Sequence, residues 1–166
     1  MKKLIATLTA LAAAMTMSVF AEKYISANDL EKETLTANKT CEDDFTITAS
    51  DEKSVEIGSQ SSDCPNAVNG EVFTKRIKLG SGKFAFRSIT FPAKAGQKVT
   101  VYCKSSSKTD ARVISVLNEK NEEVGTIDAK AYPDEMSTGS VTIPEDGNYA
   151  VTPKKNTIYV YEVIVE

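Results

Sequence analysis

Past residue 22, apolar and polar side chains alternate in short runs separated by turn residues, mostly Gly, Pro, Asn, Asp and Ser. A period of two sends successive side chains to opposite faces of an extended chain, so each run predicts a strand with one buried face. Such runs fall at residues 23–27, 45–49, 54–57, 72–79, 84–91, 97–103, 112–117, 123–128, 140–143, 148–152 and 157–165. Helical periodicity is scarce; only Asn28 to Glu33 reads as a helical turn, with Asn28 or Asp29 as its N-cap. Gly80-Ser81-Gly82, Ala95-Gly96-Gln97 and Pro144-Glu145-Asp146-Gly147 supply the backbone angles of tight turns and read as hairpin connections. They are too short for the crossovers that parallel strands need. The expected fold class is all-β, an antiparallel β-sandwich of jelly-roll-like form.

Alternation also assigns faces. Val99, Val101 and Cys103 share one face of their strand, and Tyr159 and Tyr161 share theirs with Val163 and Val165, which makes core packing their expected role, with a phenol at the rim as the alternative for the tyrosines. Arg87 alternates with Ile89 and Phe91, which predicts partial burial. The longest stretch without a strand signal, from Gly58 to Gly70, reads as a surface loop.

The N-terminus has a different grammar. Lys2 and Lys3 precede an apolar run from Leu4 to Met15, and Val19-Phe20-Ala21 supplies a small-residue cleavage site. That order is a secretory signal over residues 1–21, followed by one β-sandwich domain over 22–166. The apolar run is shorter than the roughly 20 residues that span a bilayer, so no membrane insertion is expected after cleavage. The expected location is secreted or periplasmic. In an exported protein two of three cysteines can bridge: Cys41 and Cys64 both lie in polar, loop-like settings, which points to a Cys41–Cys64 disulfide contributing about 3 kcal/mol. Cys103, on an apolar strand face, is expected to be buried and inert.

Composition then removes whole classes of chemistry. The chain has no histidine, which excludes Ser-His-Asp and Cys-His nucleophile activation and takes away the commonest zinc ligand. A net charge of -3 with mixed signs gives no footprint for nucleic acid. Asp43 with Asp44, Glu122 with Glu123 and Glu145 with Asp146 sit in or beside polar turns, where solvated charge is their ordinary role rather than acid–base catalysis. No catalytic residue, metal-ligand set or cofactor is therefore assigned, and the chain is read as a non-enzyme. Cys41 to Asp44 and Ser105 to Asp110 offer fragments of the oxygen set of a structural calcium ion, without the spacing of a dedicated loop.

What remains is recognition. Arg87 and Arg112 carry planar forks that match carboxylates, and Arg76, Lys78 and Lys104 add positive charge from neighbouring strands. Arg87, Lys104, Arg112, Asp110 and Tyr102 make a candidate carbohydrate-binding set, suited to acidic sugars such as galacturonate. The competing reading is internal: Arg112 or Arg87 paired with Asp110 to fix a loop. The absence of tryptophan argues against a flat platform for crystalline polysaccharide.

Arg76-Ile77-Lys78-Leu79-Gly80-Ser81-Gly82, Phe86-Arg87-Ser88-Ile89-Thr90-Phe91, Val99 through Ser107, Asp110-Ala111-Arg112 and Ile158 through Val165 follow one another in an order that resembles the accessory β-sandwich modules of secreted bacterial pectate lyases and related polysaccharide-degrading enzymes. The resemblance runs from Tyr24 to Glu166. It implies a jelly-roll-like sandwich and a non-catalytic carbohydrate-binding role, with Arg87, Lys104 and Arg112 at the matching positions. The chain has no room for a lyase domain, and a cysteine stands at position 103 where a small apolar residue is expected. The alternative is a structural or adhesive envelope protein whose sandwich binds another protein.

Overall fold

A computed structural model of the chain describes residues 21–60, 67–68, 71–132 and 136–166. Except for Ala21, the expected signal segment lies outside them. The first strands are β1 (Lys23–Ser26), β2 (Glu33–Leu35), β3 (Lys39–Thr40), β4 (Thr46–Thr48), β5 (Val55–Ser59), β6 (Ala67–Val68), β7 (Glu71–Val72) and β8 (Lys75–Leu79). They are followed by β9 (Ser88–Ala93), β10 (Lys98–Ser105), β11 (Arg112–Asn118), β12 (Glu123–Ala129), β13 (Ser137–Thr142), β14 (Gly147–Pro153) and β15 (Ile158–Val165).

Two antiparallel sheets face each other. The first runs β13-β10-β15-β8-β5-β2, with β1 pairing the C-terminal half of β15 beside β8; the second runs β12-β11-β14-β9-β4-β3. Within them β8 to β15 form an eight-stranded jelly roll, in the orders β8-β15-β10-β13 and β9-β14-β11-β12. The earlier strands widen both sheets. The fold is the antiparallel β-sandwich that the alternation predicts.

The facing sides hold the core, which includes Phe45, Ile47, Ile77, Leu79, Ile89, Phe91, Val99, Val101, Cys103, Ile114, Val116, Val160 and Val163, all at most 2% exposed. Each such side chain contributes roughly 1.5–3 kcal/mol on leaving water. Phe45 and Phe91 meet at a tilted 5.5 Å between ring centroids. Tyr149 joins this core and satisfies its hydroxyl by donating to the Glu145 carbonyl at 2.8 Å. Burial pushes the Cys103 thiol up to about 12, so it remains protonated and inert as expected. No helix among the described residues is long and apolar enough to cross a membrane.

Several local expectations are corrected. The turn at Asn28 is a single 3-10 turn, Ala27–Asp29, capped by Ser26, whose Oγ accepts from the Asn28 N–H at 3.3 Å; the chain then re-enters a sheet as β2. Residues 84–87 form a turn instead of the first half of a strand, and β9 begins at Ser88. The turns at Gly80, Gly96 and Asp146 are arches that carry the chain from one sheet to the other, because β8, β10 and β13 lie opposite β9 and β14. The expected Cys41–Cys64 bridge is a separate matter, because Cys64 lies outside the described residues; Cys41 Sγ donates to the Lys39 carbonyl at 3.7 Å.

Tyr161 is buried as expected, at 0% exposure, but in a second apolar cluster, and Tyr159 is only partly buried against it. The β10–β15 register shifts between Tyr102 and Cys103: Tyr102 pairs with Glu162, Cys103 with Val160, and Tyr161 is the extra residue. One inserted residue reverses the facing of everything on one side of it. Val163 and Val165 therefore belong to the core, while Tyr161 packs in a separate cluster with Tyr102 and Phe73 and with Tyr159 beside it.

Candidate functional site

The jelly-roll topology brings the arches around Gly80–Arg87, Ser105–Ala111 and Pro153–Thr157 to one end of the sandwich, next to the outer face of the first sheet. Cross-strand register sets a single row of side chains across that face: Lys104 on β10 opposite Tyr159 on β15, Tyr159 opposite Lys78 on β8, Lys78 opposite Glu56 on β5, and Glu56 opposite Thr34 on β2. Strand alternation puts them all outward, since Ile77, Leu79, Ile57 and Val160 point to the core.

Charge on this row is predominantly positive. Lys78 Nζ pairs with Glu56 Oε2 at 2.9 Å, and both side chains are about four-tenths exposed. The Arg76 guanidinium carbon lies 4.2 Å from the centroid of the Tyr159 ring, a cation–π contact that holds the fork flat against the sheet. Beyond Lys78 the row opens into a depression of about 250 Å³ lined by Thr34, Ser54, Glu56, Lys78, Gly80, Arg87 and Thr157. Gly80 makes room here: a Cβ on it would sit 3.0 Å from Arg87 Nη1 and 3.3 Å from Arg87 Cδ.

Arg87 is delivered by its backbone. It has φ 51, its N–H donates to the Thr48 carbonyl at 2.8 Å, and its own carbonyl accepts from Thr152 Oγ1 at 2.9 Å. The main chain is thus clamped on both sides in a left-handed conformation that turns the side chain away from the core face of β9. Among the described residues the Nε atoms of Arg76 and Arg87 are buried without a hydrogen-bond partner, and neither guanidinium pairs with a carboxylate.

The sequence-predicted residues divide. Arg87 lines the depression and Lys104 ends the row. Tyr102 is on the same face but only 6% exposed, within the Phe73 and Tyr161 cluster. Arg112 turns out to be a loop pin: its Nη1 donates to Ser106 Oγ at 2.6 Å and to the Thr157 carbonyl. The predicted pairing of Arg112 or Arg87 with Asp110 does not occur. Asp110 is exposed and its Oδ2 accepts from Ser107 Oγ at 3.0 Å, because the Ser107 hydroxyl organises this loop locally and also receives the Asp110 and Thr109 N–H groups. In the other fragment considered for calcium, Cys41 to Asp44, two carboxylates are likewise engaged within the protein: Asp43 Oδ2 accepts from the Tyr24 N–H at 3.3 Å and Asp44 Oδ2 pairs with Lys23 at 3.1 Å.

Tyr159, Glu56, Thr34 and Tyr132 were not among the sequence candidates. Tyr159 was assigned to the core on alternation, and only the bulge, which depends on the partner strand, reveals its outward position. A larger depression of about 480 Å³ at the opposite end is lined by Lys23, Pro92, Lys94, Gln97, Asp146 and Asn148 among others, without an aromatic side chain among the described residues. Its Asp146 already accepts from the Ala95 N–H at 2.9 Å.

No protein family matches the sequence, and no curated protein does. Among solved structures the chain is similar to the carbohydrate-binding module CsCBM6-3 from Clostridium stercorarium in complex with cellobiose, at 12% identity and a TM-score of 0.46, covering 87% of this chain and 92% of that one. It is also similar to the carbohydrate-binding module CBM36 in complex with calcium and xylotriose, at 10% identity and a TM-score of 0.45, covering 87% and 99%. A third is the K1 cleaved adhesin domain of Lys-gingipain from Porphyromonas gingivalis W83, at 10% identity and a TM-score of 0.48, covering 89% and 98%.

Proposed function

We propose that this chain is an exported, non-catalytic carbohydrate-binding protein that takes an acidic polysaccharide, such as pectate, along the Lys104–Tyr159–Lys78 row and into the Arg87 depression. One observation carries the reading: two guanidinium groups, Arg76 and Arg87, sit beside Lys78 on a shallow aromatic face, and neither has a protein acceptor among the described residues. An arginine fork presents five donors in a plane and no acceptor, so the group that satisfies it is an oxyanion, best a carboxylate. From Tyr159 through Lys78 to the depression the row is extended and partly exposed, as a polymer needs, and its polar and aromatic members suit a sugar ring bearing a charge.

Electrophoresis through gels containing polygalacturonate tests this. The wild-type chain is expected to be retarded, and Arg76→Ala and Lys78→Ala to lose about tenfold in affinity each, with retardation fading as salt rises. Unchanged mobility across charged and neutral glycans would sink the proposal and favour the alternative, a structural or adhesive protein whose partner is another protein.

A further inference from the structure

The cation at the far end of the row differs from the others. Lys104 has no exposed surface, its Nζ has no hydrogen-bond partner, and no described carboxylate pairs with it. Its surroundings are aromatic: Nζ lies 5.6 Å from the centroid of the Tyr132 ring, and Tyr159 is its cross-strand neighbour. Lys75, on the same sheet, shows what a partly buried lysine ordinarily finds, since its Nζ donates to the carbonyls of Asn28 and Leu30. An ammonium withdrawn from water is costly unless it is paired, and a π face compensates only part of that cost. A methionine would fill similar volume without the penalty.

We propose that Lys104 is the carboxylate anchor of the row, covered by the Tyr132 ring in the free protein and uncovered when a uronate residue binds. This rests on the glycan-binding reading above and adds the residue that discriminates charged from neutral sugar. The Tyr132 N–H donates to the Ser107 carbonyl at 2.7 Å, so the main chain is anchored and uncovering the lysine requires only a change in the Tyr132 side-chain torsions. An arriving carboxylate replaces a cation–π contact by a charge-assisted hydrogen bond, which offsets moving the ring. A methyl-esterified uronate brings no charge and leaves the ring in place.

The chain has six tyrosines and no tryptophan, so binding of trigalacturonate can be followed by tyrosine emission, alongside gels containing polygalacturonate or highly methyl-esterified pectin. Lys104→Met is expected to unfold at the wild-type temperature or higher. It should lose about 10- to 100-fold in affinity for trigalacturonate while its retention by the esterified polymer is unchanged. Tyr132→Ala should bind trigalacturonate at least as tightly as wild type, because no ring has to move. Lys104→Gln gives the same comparison if Lys104→Met does not fold. Wild-type affinity in the Lys104 variant, or lost affinity in Tyr132→Ala, overturns the anchor. A wild-type chain that binds neither polymer overturns the glycan reading itself and the anchor with it.

Discussion

At the scale of single residues, the site depends on side chains whose backbones are held in uncommon states. Arg87 is a non-glycine residue at φ 51, a conformation that costs an L-residue roughly 1–2 kcal/mol and costs glycine nothing comparable. Arg87→Gly is therefore expected to be more stable than Arg87→Ala by about 1 kcal/mol in denaturant unfolding. The glycine variant is the better probe of binding, because it removes the fork without adding strain. Equal stability of the two would mean that the clamp by Thr48 and Thr152 does not hold the left-handed conformation. Glu123 makes a titration argument: the Ser115 hydroxyl, 2.5 Å from Oε2, and then Lys154 hold its carboxyl below the usual range. A lowered folded value means that the stabilisation is present above the unfolded carboxylate value of about 4.3 and is lost as pH falls through the folded one. Ser115→Ala should move the Glu123 carboxyl titration, read by carbon NMR, upward; a curve that stays put removes the hydroxyl as the cause.

At the scale of elements, two glycines bring the edges of the two sheets together. A Cβ on Gly125 of β12 would lie 2.5 Å from Val141 Cγ1, and one on Gly139 of β13 would lie 2.7 Å from Ile127 Cγ2. Both obstacles are β-branched side chains with little freedom to retreat. Gly125→Ala and Gly139→Ala are each expected to cost about 1–3 kcal/mol in thermal or chemical unfolding, and wild-type stability in both would show that this seam is loosely packed. The same elements show what a sequence can and cannot tell. The inward set Val99, Val101 and Cys103 was legible because alternation within β10 is uninterrupted on that face. The burial of Tyr161 was legible, but the face that it and Tyr159 occupy was not, because a bulge belongs to a pair of strands and nothing local to Ile158–Val165 announces it. The glycine and proline turns were legible as turns, but turn chemistry does not name the sheet that receives the next strand. Arg112 and Arg87 were legible as forks. Their different duties hang on partners distant in sequence, the Thr157 carbonyl for one and the space above Gly80 for the other.

At the scale of the whole molecule, the sandwich separates its apolar core from the face proposed for recognition. The apolar payload lies between the sheets, whereas the row, the depression and the covered Tyr102, Tyr161 and Phe73 cluster lie on the far side of the first sheet. The order of assembly is less balanced. β15 occupies the middle of the first sheet, bonded to β10 along one side and to β8 and β1 along the other. A chain emerging during synthesis up to Pro153 has presented three neighbours with nothing to hold them together. Pairing of β1 with β15 joins residues near opposite ends of the domain, a long loop to close before any reward. Maturation of this sheet thus waits for the last strand to be delivered, and until then β1, β8 and β10 are unzipped edges in need of shelter from neighbouring chains.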